Sequence, residues 1–535
     1  MHQTAGLRLN RADADSLTWL AAVAVAGLAF ALTFGGSVFS ASVSDTSGYV
    51  SAAKGLIDDE LVRPAPLQLI PSITGLHVPT SPLAYVPGPA AGTEVPVYPL
   101  GLPYLMAATE TVLGPRAAFA VTPLSLAMLA FLAFLLARDA AGNAAGIGAA
   151  VLVVADPAAL LNAVWGMSDV PAAACWIAAW YFALRDTRSS AITAGCLCAL
   201  GSTIRPILGP LAVVIGCQCL LSNAPVGVPS RWNWGRCGAF LCVAIAGPLL
   251  VAWSQSALYG NPFRSGYPAG IAMFGLAYVG QNLRNYPHLF IDVHGPGLSA
   301  TLVAGLAFVL SPSPIGRLVR TGIPLAVANC ALYAIYLPYD SWPFLRFLLP
   351  ATTVIFVIAS AGLAGLIGRF PSNARLSPLR WVVIALPLLT IVNAQENYRF
   401  VAAEPLTHAK TPVMGAYLDA VLPRNAIVLS FIHSGAVAHY TGRTVLRPEH
   451  IAGQQLDELV STLTSNGWHP VFVLDENVEI PAFKSIFTGS SFGMLDWPPR
   501  AEFVSDTKIL YYSATDRLRH STGEVWPTDI VRVRQ

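Results

Sequence analysis

Long apolar runs separated by short polar segments make up most of the first 394 residues. The first run, from Leu17 to about Val38, is long enough to cross the hydrocarbon core of a bilayer, which is about 30 Å thick. Only 11% of the chain is charged, where a soluble domain carries about 25%. Of its 31 basic and 29 acidic residues, 33 lie in residues 1–394 and 27 in residues 395–535. The sequence therefore predicts a polytopic membrane protein with a soluble tail. It excludes a soluble multidomain enzyme, a disordered chain and a secreted disulfide scaffold.

Eleven of these runs are predicted to span the membrane. Their ranges are 17–38, 116–137, 140–156, 170–184, 191–204, 206–221, 237–256, 298–311, 321–338, 347–367 and 381–394. Clusters of arginine set their direction, because basic residues accumulate in cytoplasmic loops. These clusters are Arg8/Arg11, Arg138, Arg185/Arg188, Arg231/Arg236, Arg317/Arg320 and Arg369/Arg375/Arg380. The amino terminus of this membrane domain, residues 1–394, is therefore predicted to be cytoplasmic and the tail to lie outside.

The apolar segment 100–113 is not counted among the spans. An even number of crossings must separate the cytoplasmic Arg11 from the cytoplasmic Arg138, and the first two spans already supply two. The segment is therefore predicted to be an interfacial or re-entrant helix on the outer face. The same face carries two long loops, 39–99 and 257–297, which are rich in Pro, Gly and Tyr. Loops of this length are usually functional, so the active face is predicted to point outward.

The tail, residues 395–535, has a different hydrophobic pattern. Helices are predicted at 411–422, 434–440, 454–465 and 480–487, and strands at 426–431, 470–474 and 508–512. Strands that alternate with helices at this spacing indicate a small α/β layer domain. We therefore expect an accessory α/β domain after the membrane domain.

No motif indicates a cofactor, a metal or a nucleic-acid partner. The tail has no G-x-G-x-x-G and no P-loop, so nucleotide binding has no support. Its histidines (His433, His439, His450 and His469) match no ligand spacing, and solvated or hydrogen-bonded histidine is the better interpretation. All eight cysteines precede residue 394 and are interpreted as small apolar packing residues. The net charge of +2 gives no sign of a polyanion partner.

Five short motifs lie on the predicted outer face. They are Ser44-Asp45-Thr46-Ser47-Gly48-Tyr49 with Ala52-Ala53-Lys54-Gly55-Leu56, Tyr98-Pro99-Leu100-Gly101-Leu102-Pro103, Met167-Ser168-Asp169-Val170-Pro171, Asn261-Pro262-Phe263-Arg264-Ser265-Gly266-Tyr267 and Arg346-Phe347-Leu348-Leu349-Pro350. In this order they resemble the motifs of the GT-C membrane glycosyltransferases. The chain is most similar to the branch of protein O-mannosyltransferases and lipid A aminoarabinose transferases (glycosyltransferase family 39-like). Leu100 departs from that branch, which has a second proline there.

The resemblance implies an all-α GT-C membrane domain of about 11 transmembrane helices with a small C-terminal α/β domain. It also implies a glycosyltransferase that moves a sugar from a polyprenyl-phosphate donor to an acceptor hydroxyl on the outer face, with inversion. The acceptor would be a protein, a lipid or a glycan, and the expected location is the bacterial inner membrane. No cofactor is expected. A metal at His288, Asp292 and His294 is the less favoured alternative.

Asp45 is the candidate general base of that reaction. An attacking hydroxyl must lose its proton, and a carboxylate within hydrogen-bond reach can accept it. Asp45 directly follows the first span and has small neighbours that leave room for a substrate. The alternative is a carboxylate that marks a helix end or caps the next helix.

Charged and aromatic residues on the predicted outer face, most of them in the motifs, are the candidate substrate ligands. Arg205 and Arg346 are suited to the donor phosphate, because guanidinium groups bind phosphate in a bidentate manner. The alternative for both is an ion pair with Asp169 or Asp340. Further candidates, some of which the resemblance supports, are Lys54, Arg264 and Arg284 for the phosphate, Asp169 for orientation, sugar binding or pairing, and Tyr49, Tyr98 and Tyr267 for stacking on a sugar.

Two other functions remain open at the level of sequence. A transporter or lipid flippase would show paired repeats, broken helices and intramembrane carboxylates, but no internal repeat is visible and the polar residues gather on one face. A non-enzymatic scaffold would bind a partner through its tail. Intact Asp45 and Arg205 argue against a scaffold.

Overall fold

The computed structural model describes residues 11–42, 44–70, 73, 80–221, 232–267, 270–369 and 389–533. The chain divides into two compact units. The helical unit comprises Met1–Ser37, Ala120–Leu250 and Ile271–Val401. The mixed unit comprises Val38–Phe119, Val251–Gly270 and Ala402–Gln535, so most of the predicted tail belongs to the same unit as most of the first long loop.

Helices make up most of the described chain. In order, they are α1 (Arg11–Gly35), α2 (Ser44–Ile57), α3 (Gly101–Leu113), α4 (Val121–Ala141), α5 (Asn143–Val154), α6 (Pro157–Val164), α7 (Asp169–Ala183), α8 (Arg188–Ile204), α9 (Leu211–Leu220), α10 (Trp234–Ala244), α11 (Ala246–Tyr259), α12 (Val279–His294), α13 (Pro296–Leu306), α14 (Pro314–Ala334), α15 (Leu349–Arg369), α16 (Gln395–His408), α17 (Lys410–Val421), α18 (Ser434–Thr441), α19 (Leu456–Ser465), α20 (Glu479–Ile486) and α21 (Ala514–Ser521). The strands are β1 (Arg63–Pro64), β2 (Tyr85–Pro87), β3 (Thr93–Pro96), β4 (Ala426–Leu429), β5 (Thr444–Leu446), β6 (His469–Asp475), β7 (Ala501–Val504), β8 (Lys508–Ser513) and β9 (Asp529–Arg532).

Within the described residues, four helical segments are long and apolar enough to cross a membrane. They are Asp15–Gly35, Pro115–Ala141, Trp234–Tyr259 and Trp342–Arg369. Two bent pairs raise the number to six if each is one span: α5 with α6, bent by 55°, and Leu276–His294 with α13, bent by 108°. On α1, Leu20, Val23 and Leu32 are more than half exposed. Exposed apolar side chains of this kind are expected where a helix meets lipid.

Three of the eleven predicted spans correspond to helices of 17 residues or fewer, at or below the lower limit for a full crossing of the bilayer. α7 has 15 residues, α8 has 17 and α9 has 10. The last predicted span, 381–394, lies mostly outside the described residues. The apolar helical architecture is therefore present, and the count of eleven stays a prediction. Segment 100–113 forms the 13-residue helix α3.

The helical unit packs around α7. Trp176 and Trp180 on this helix are fully buried. Glycines on α8 and α14 let these helices approach α7 closely. A Cβ at Gly201 would lie 3.1 Å from the Trp176 indole nitrogen, and one at Gly322 would lie 3.0 Å from the Trp180 ring. α7 begins at Asp169 and α8 ends directly before Arg205, so both candidate residues lie at helix ends.

A six-stranded sheet forms the centre of the mixed unit, in the order β5-β4-β6-β8-β7-β9. β4 is parallel to β5 and β6, while β8 is antiparallel to both β6 and β7. Side chains along β4 alternate between two cores, as a strand requires. Ile427 and Leu429 pack in one core and Val428 in the other. Leu67 from the first long loop also lies in the first of these cores.

The predicted tail elements between 411 and 512 are all present, with ends that differ by a few residues. The structure adds strands that the pattern did not indicate: β5, β7 and β9. β5 and β7 have three and four residues, and β9 is a largely exposed edge strand, so none shows a clear apolar alternation. β1, β2 and β3 form a separate antiparallel sheet in the first long loop, which was predicted without regular structure.

The core of the tail predicts the effect of one substitution. Phe472 on β6 is fully buried, and its ring centroid lies 5.5 Å from that of Phe483. Phe472→Ala is expected to cost about 3–5 kcal/mol of stability, because a cavity remains where the ring was. Thermal unfolding of the detergent-solubilised protein should therefore show a lower Tm. Leu518→Ala, at a site that is 69% exposed, is the control and should leave the Tm unchanged. Equal losses would contradict the assignment of Phe472 to the core.

Candidate functional site

Asp45 lies in the first turn of α2, the helix that begins at the predicted motif. A carboxylate in this position interacts favourably with the amino-terminal end of the helix dipole. The side chain is half-buried and accepts a hydrogen bond from the Tyr98 hydroxyl at Oδ1, with a distance of 2.8 Å. Residues from two different sequence motifs are thus brought into direct contact.

Three tyrosines predicted as substrate ligands form one aromatic cluster beside Asp45. The Tyr98 ring centroid lies 4.9 Å from that of Tyr49 and 5.9 Å from that of Tyr267, which it meets edge-on. Burial and the negative charge of Asp45 raise the pKa of Tyr98 well above its usual value of 10. The phenol therefore stays protonated and continues to donate its hydrogen bond to Asp45 throughout the physiological pH range.

Gly48 has a steric role in this cluster. A Cβ at this position would lie 2.6 Å from the Tyr98 ring and 2.4 Å from the Cβ of Ala84. No side chain larger than hydrogen fits without moving the ring. The motif therefore requires glycine here because α2 and Tyr98 approach each other closely.

Lys54 and Arg264 are not brought into the aromatic cluster. Lys54 follows Asp45 by nine residues, which at 3.6 residues per turn places it on the opposite side of α2. Its side chain is exposed, and Arg264 is exposed in the segment after α11. The two cations lie in the mixed unit with Asp45, at its surface.

Asp169 and Arg205 form an ion pair in the helical unit. Arg205 Nη1 lies 2.8 Å from Asp169 Oδ1, and the Asp169 side chain is only 2% exposed. Arg205 also donates hydrogen bonds to the Ser168 hydroxyl at 3.2 Å and the Tyr333 hydroxyl at 3.0 Å. The ion pair with Asp169, which the sequence offered as the alternative to phosphate binding by Arg205, is therefore present.

Arg346 joins the same group through a shared ring. The Cζ atoms of Arg205 and Arg346 each lie 5.1 Å from the centroid of the Phe347 ring. Tyr333 stacks on Phe347 at 4.9 Å with an interplanar angle of 3°. This group, which we call the arginine cluster, combines one carboxylate with two guanidinium groups. Its charge is therefore net positive, which suits an anionic ligand.

Sequence reasoning missed two members of the arginine cluster. Phe347 lies inside the last motif, so its place beside two arginines could have been considered. Tyr333 lies in the apolar helix α14, 128 residues after Arg205, and no local pattern marks it. Its position beside Arg205 depends on the packing of the helices.

The alternative metal site at His288, Asp292 and His294 is not assembled as one group. His288 Nδ1 lies 2.7 Å from Asp292 Oδ2, one turn along α12. His294 instead lies 3.3 Å from Asp156 through Nε2. In the described ranges, no three His, Cys, Asp or Glu side chains are grouped closely enough to hold a metal ion.

Most of the chain is similar to solved structures of two proteins. One is ArnT from Cupriavidus metallidurans in the apo state, with a TM-score of 0.52 and 11% identity over 93% of this chain and 98% of ArnT. The other is the oligosaccharyltransferase from Archaeoglobus fulgidus in the apo form, with a TM-score of 0.51 and 12% identity over 86% of this chain and 69% of the other. This chain has the GT-C fold.

Further structures of these GT-C proteins contain ligands. ArnT has been solved bound to undecaprenyl phosphate, with a TM-score of 0.50 and 12% identity over 93% of this chain and 98% of that one. The archaeal enzyme, AglB, has been solved in complex with an inhibitory peptide and a dolichol-phosphate, with a TM-score of 0.51 and 12% identity over 92% of this chain and 74% of that one. No protein-family model and no curated protein sequence matches the chain.

The buried ion pair predicts a compensating pair of substitutions. Arg205→Ala leaves Asp169 without its cation in an apolar setting, which is expected to cost about 3–5 kcal/mol of stability. Replacing the carboxylate in the same protein, as Asp169→Asn, should recover a large part of that loss because no buried charge remains. The measurement is the Tm of the single and double variants in detergent. Additive losses in the double variant would show that the two side chains do not interact.

Proposed function

We propose that the protein is a membrane glycosyltransferase that transfers a sugar from a polyprenyl-phosphate donor to an acceptor hydroxyl, with inversion. The observation that carries the proposal is the Asp45 carboxylate, held by the Tyr98 hydroxyl in an aromatic cluster. The GT-C fold supports it, as do the lipid phosphates bound to ArnT and AglB. A protein, lipid or glycan hydroxyl would be the acceptor.

In the proposed reaction, Asp45 acts as the general base. The acceptor oxygen attacks the anomeric carbon of the donor while the carboxylate takes the hydroxyl proton. The bond between the anomeric carbon and the phosphate oxygen breaks, and the phosphate leaves with the bonding electrons. A single displacement of this kind inverts the anomeric centre. The hydrogen bond from Tyr98 fixes the carboxylate in one orientation, and the rings of Tyr49, Tyr98 and Tyr267 offer apolar faces for a sugar.

The arginine cluster would hold the phosphate of the lipid donor. Phosphate charge must be compensated near the bilayer, where unpaired ions are costly. Arg205 and Arg346 bring two guanidinium groups to one aromatic ring, and Asp169 would orient Arg205 through their ion pair. Lys54 and Arg264 remain candidates for weaker contacts with the donor phosphate, consistent with their exposed side chains.

The proposed topology has eleven spans with a cytoplasmic amino terminus and an outward-facing α/β domain, in the bacterial inner membrane. Four to six candidate spans in the described residues support an integral membrane protein. The basic residues of the predicted cytoplasmic loops support the direction of the spans. No metal or other cofactor is required by the proposed chemistry.

A transporter or lipid flippase is the second candidate function. Two bent helix pairs favour it, because transporters place binding sites at broken helices. Asp156 lies at the first of these breaks and His294 at the second, and the two side chains contact each other. A flippase would translocate a lipid phosphate without forming a new glycosidic bond.

A panel of polyprenyl-phosphate sugars tests both candidates in proteoliposomes. Asp45→Asn keeps the size of the side chain but removes the base, so the rate of sugar transfer should fall about 10²–10⁴-fold. Asp58→Asn, which removes an exposed carboxylate just after α2, is the matched control and should retain activity. Transfer by the Asp45→Asn variant at the wild-type rate would overturn the base assignment. Lipid translocation without transfer, across the whole panel, would favour the flippase.

A further inference from the structure

The tail helix α18 packs against α2 on the side that faces away from Tyr98. We propose that α18 positions α2 and its Asp45, with His439 and Tyr440 as positioning residues for sugar transfer. This inference rests on the proposed role of Asp45 as general base. It gives the tail an indirect part in catalysis, through the position of α2.

The spacing of the contacts shows that two helix faces meet. On α2, Ser47 and Ser51 are separated by one turn and are both buried. On α18, Gly435 and His439 are separated by one turn in the same way. Ser51 Oγ lies 3.0 Å from His439 Nδ1, and a Cβ at Gly435 would lie 2.5 Å from Ser47 Oγ. Glycine is therefore needed at position 435 for the two helices to approach this closely.

Two more hydrogen bonds join α18 to segments next to α2. The Tyr440 hydroxyl accepts a hydrogen bond from the backbone N–H of Ala41, at 3.0 Å, shortly before α2 begins. The Ser434 hydroxyl accepts one from the backbone N–H of Leu83, also at 3.0 Å. Leu83 precedes Ala84, the residue whose Cβ approaches Gly48. The eight-residue helix α18 therefore contacts Ala41 ahead of α2, Ser51 on α2, and Leu83 in the segment that packs against α2.

The side of α18 that faces the rest of the tail is also closely packed. A Cβ at Gly415 on α17 would lie 2.5 Å from the Tyr440 side chain, so Tyr440 is packed between the tail and Ala41. Desolvation and the positive charges of Lys54 and Arg63 lower the pKa of His439 to about 4. The imidazole is neutral at physiological pH, and its contact with Ser51 is a hydrogen bond between uncharged groups.

The consequence for catalysis is geometric. α2 is held between Tyr98, through Asp45 and Gly48, and α18, through Ser47 and Ser51. Loss of the contacts on the α18 side lets α2 shift, and a misplacement of about 1 Å at a reacting group can reduce a rate about 100-fold. The main contacts with the donor phosphate are proposed for the arginine cluster, whereas a shift of α2 displaces the base itself. Changes in α18 should therefore lower kcat by a larger factor than they raise the KM for the donor.

The test compares His439→Ala with a matched histidine variant in the same unit. His469→Ala removes a similar contact, from Ser513 Oγ to His469 Nε2 at 3.2 Å, inside the tail sheet. His439→Ala should lower kcat about tenfold or more with a smaller change in the donor KM, and should speed amide hydrogen exchange in residues 44–57. His439→Gln can still bond Ser51 and should restore a large part of both properties. His469→Ala should change neither.

Hydrogen exchange separates failure of this inference from failure of the proposed function. Unchanged exchange of residues 44–57 in His439→Ala would overturn the inference, as would an equal effect of His469→Ala. Faster exchange together with full transfer activity would also overturn it, because α2 would then not need to be positioned. If Asp45→Asn retains transfer while His439→Ala has both expected effects, α18 positions α2 for a reaction that uses another base.

Discussion

Three buried charged side chains in the helical unit contact an oppositely charged or titratable partner, because an isolated ion in apolar surroundings is too costly to keep. Asp169 pairs with Arg205, and Asp156 contacts His294 at a distance of 3.3 Å. Arg236, which is 1% exposed, lies 3.0 Å from Asp186. Each pair joins residues that are distant in sequence, so the same electrostatic requirement also fixes which helices are neighbours.

The arginine cluster shows how such a requirement can serve function. The Asp169 carboxylate alone would satisfy Arg205, yet Arg346 lies against the same Phe347 ring and adds a second positive charge. In the proposed function, this second guanidinium group would contact the phosphate of the donor.

In the mixed unit, close backbone approach positions α2. Gly48 and Gly435 each stand where a Cβ would overlap a neighbour, one on the Tyr98 side of α2 and the other on the α18 side. Together they allow α2 to be packed on two faces, with Asp45 held on one of them. Predicting the tail as an accessory domain overlooked this contact, since helix periodicity shows that α18 exists but not what it packs against.

The sequence by itself determined the apolar helical class, the α/β pattern of the tail, the motifs that contain Asp45, Asp169 and Arg346, and the arginine at 205 that interrupts an apolar stretch. These features are local, because they depend on hydrophobic spacing, charge frequency and short motifs. Only the tertiary structure decided the partners: Tyr98 for Asp45 across 53 positions, Tyr333 for Arg205 across 128, and His439 for Ser51 across 388. Such pairs depend on how whole helices pack, and a periodic sequence pattern does not indicate which helix faces contact each other.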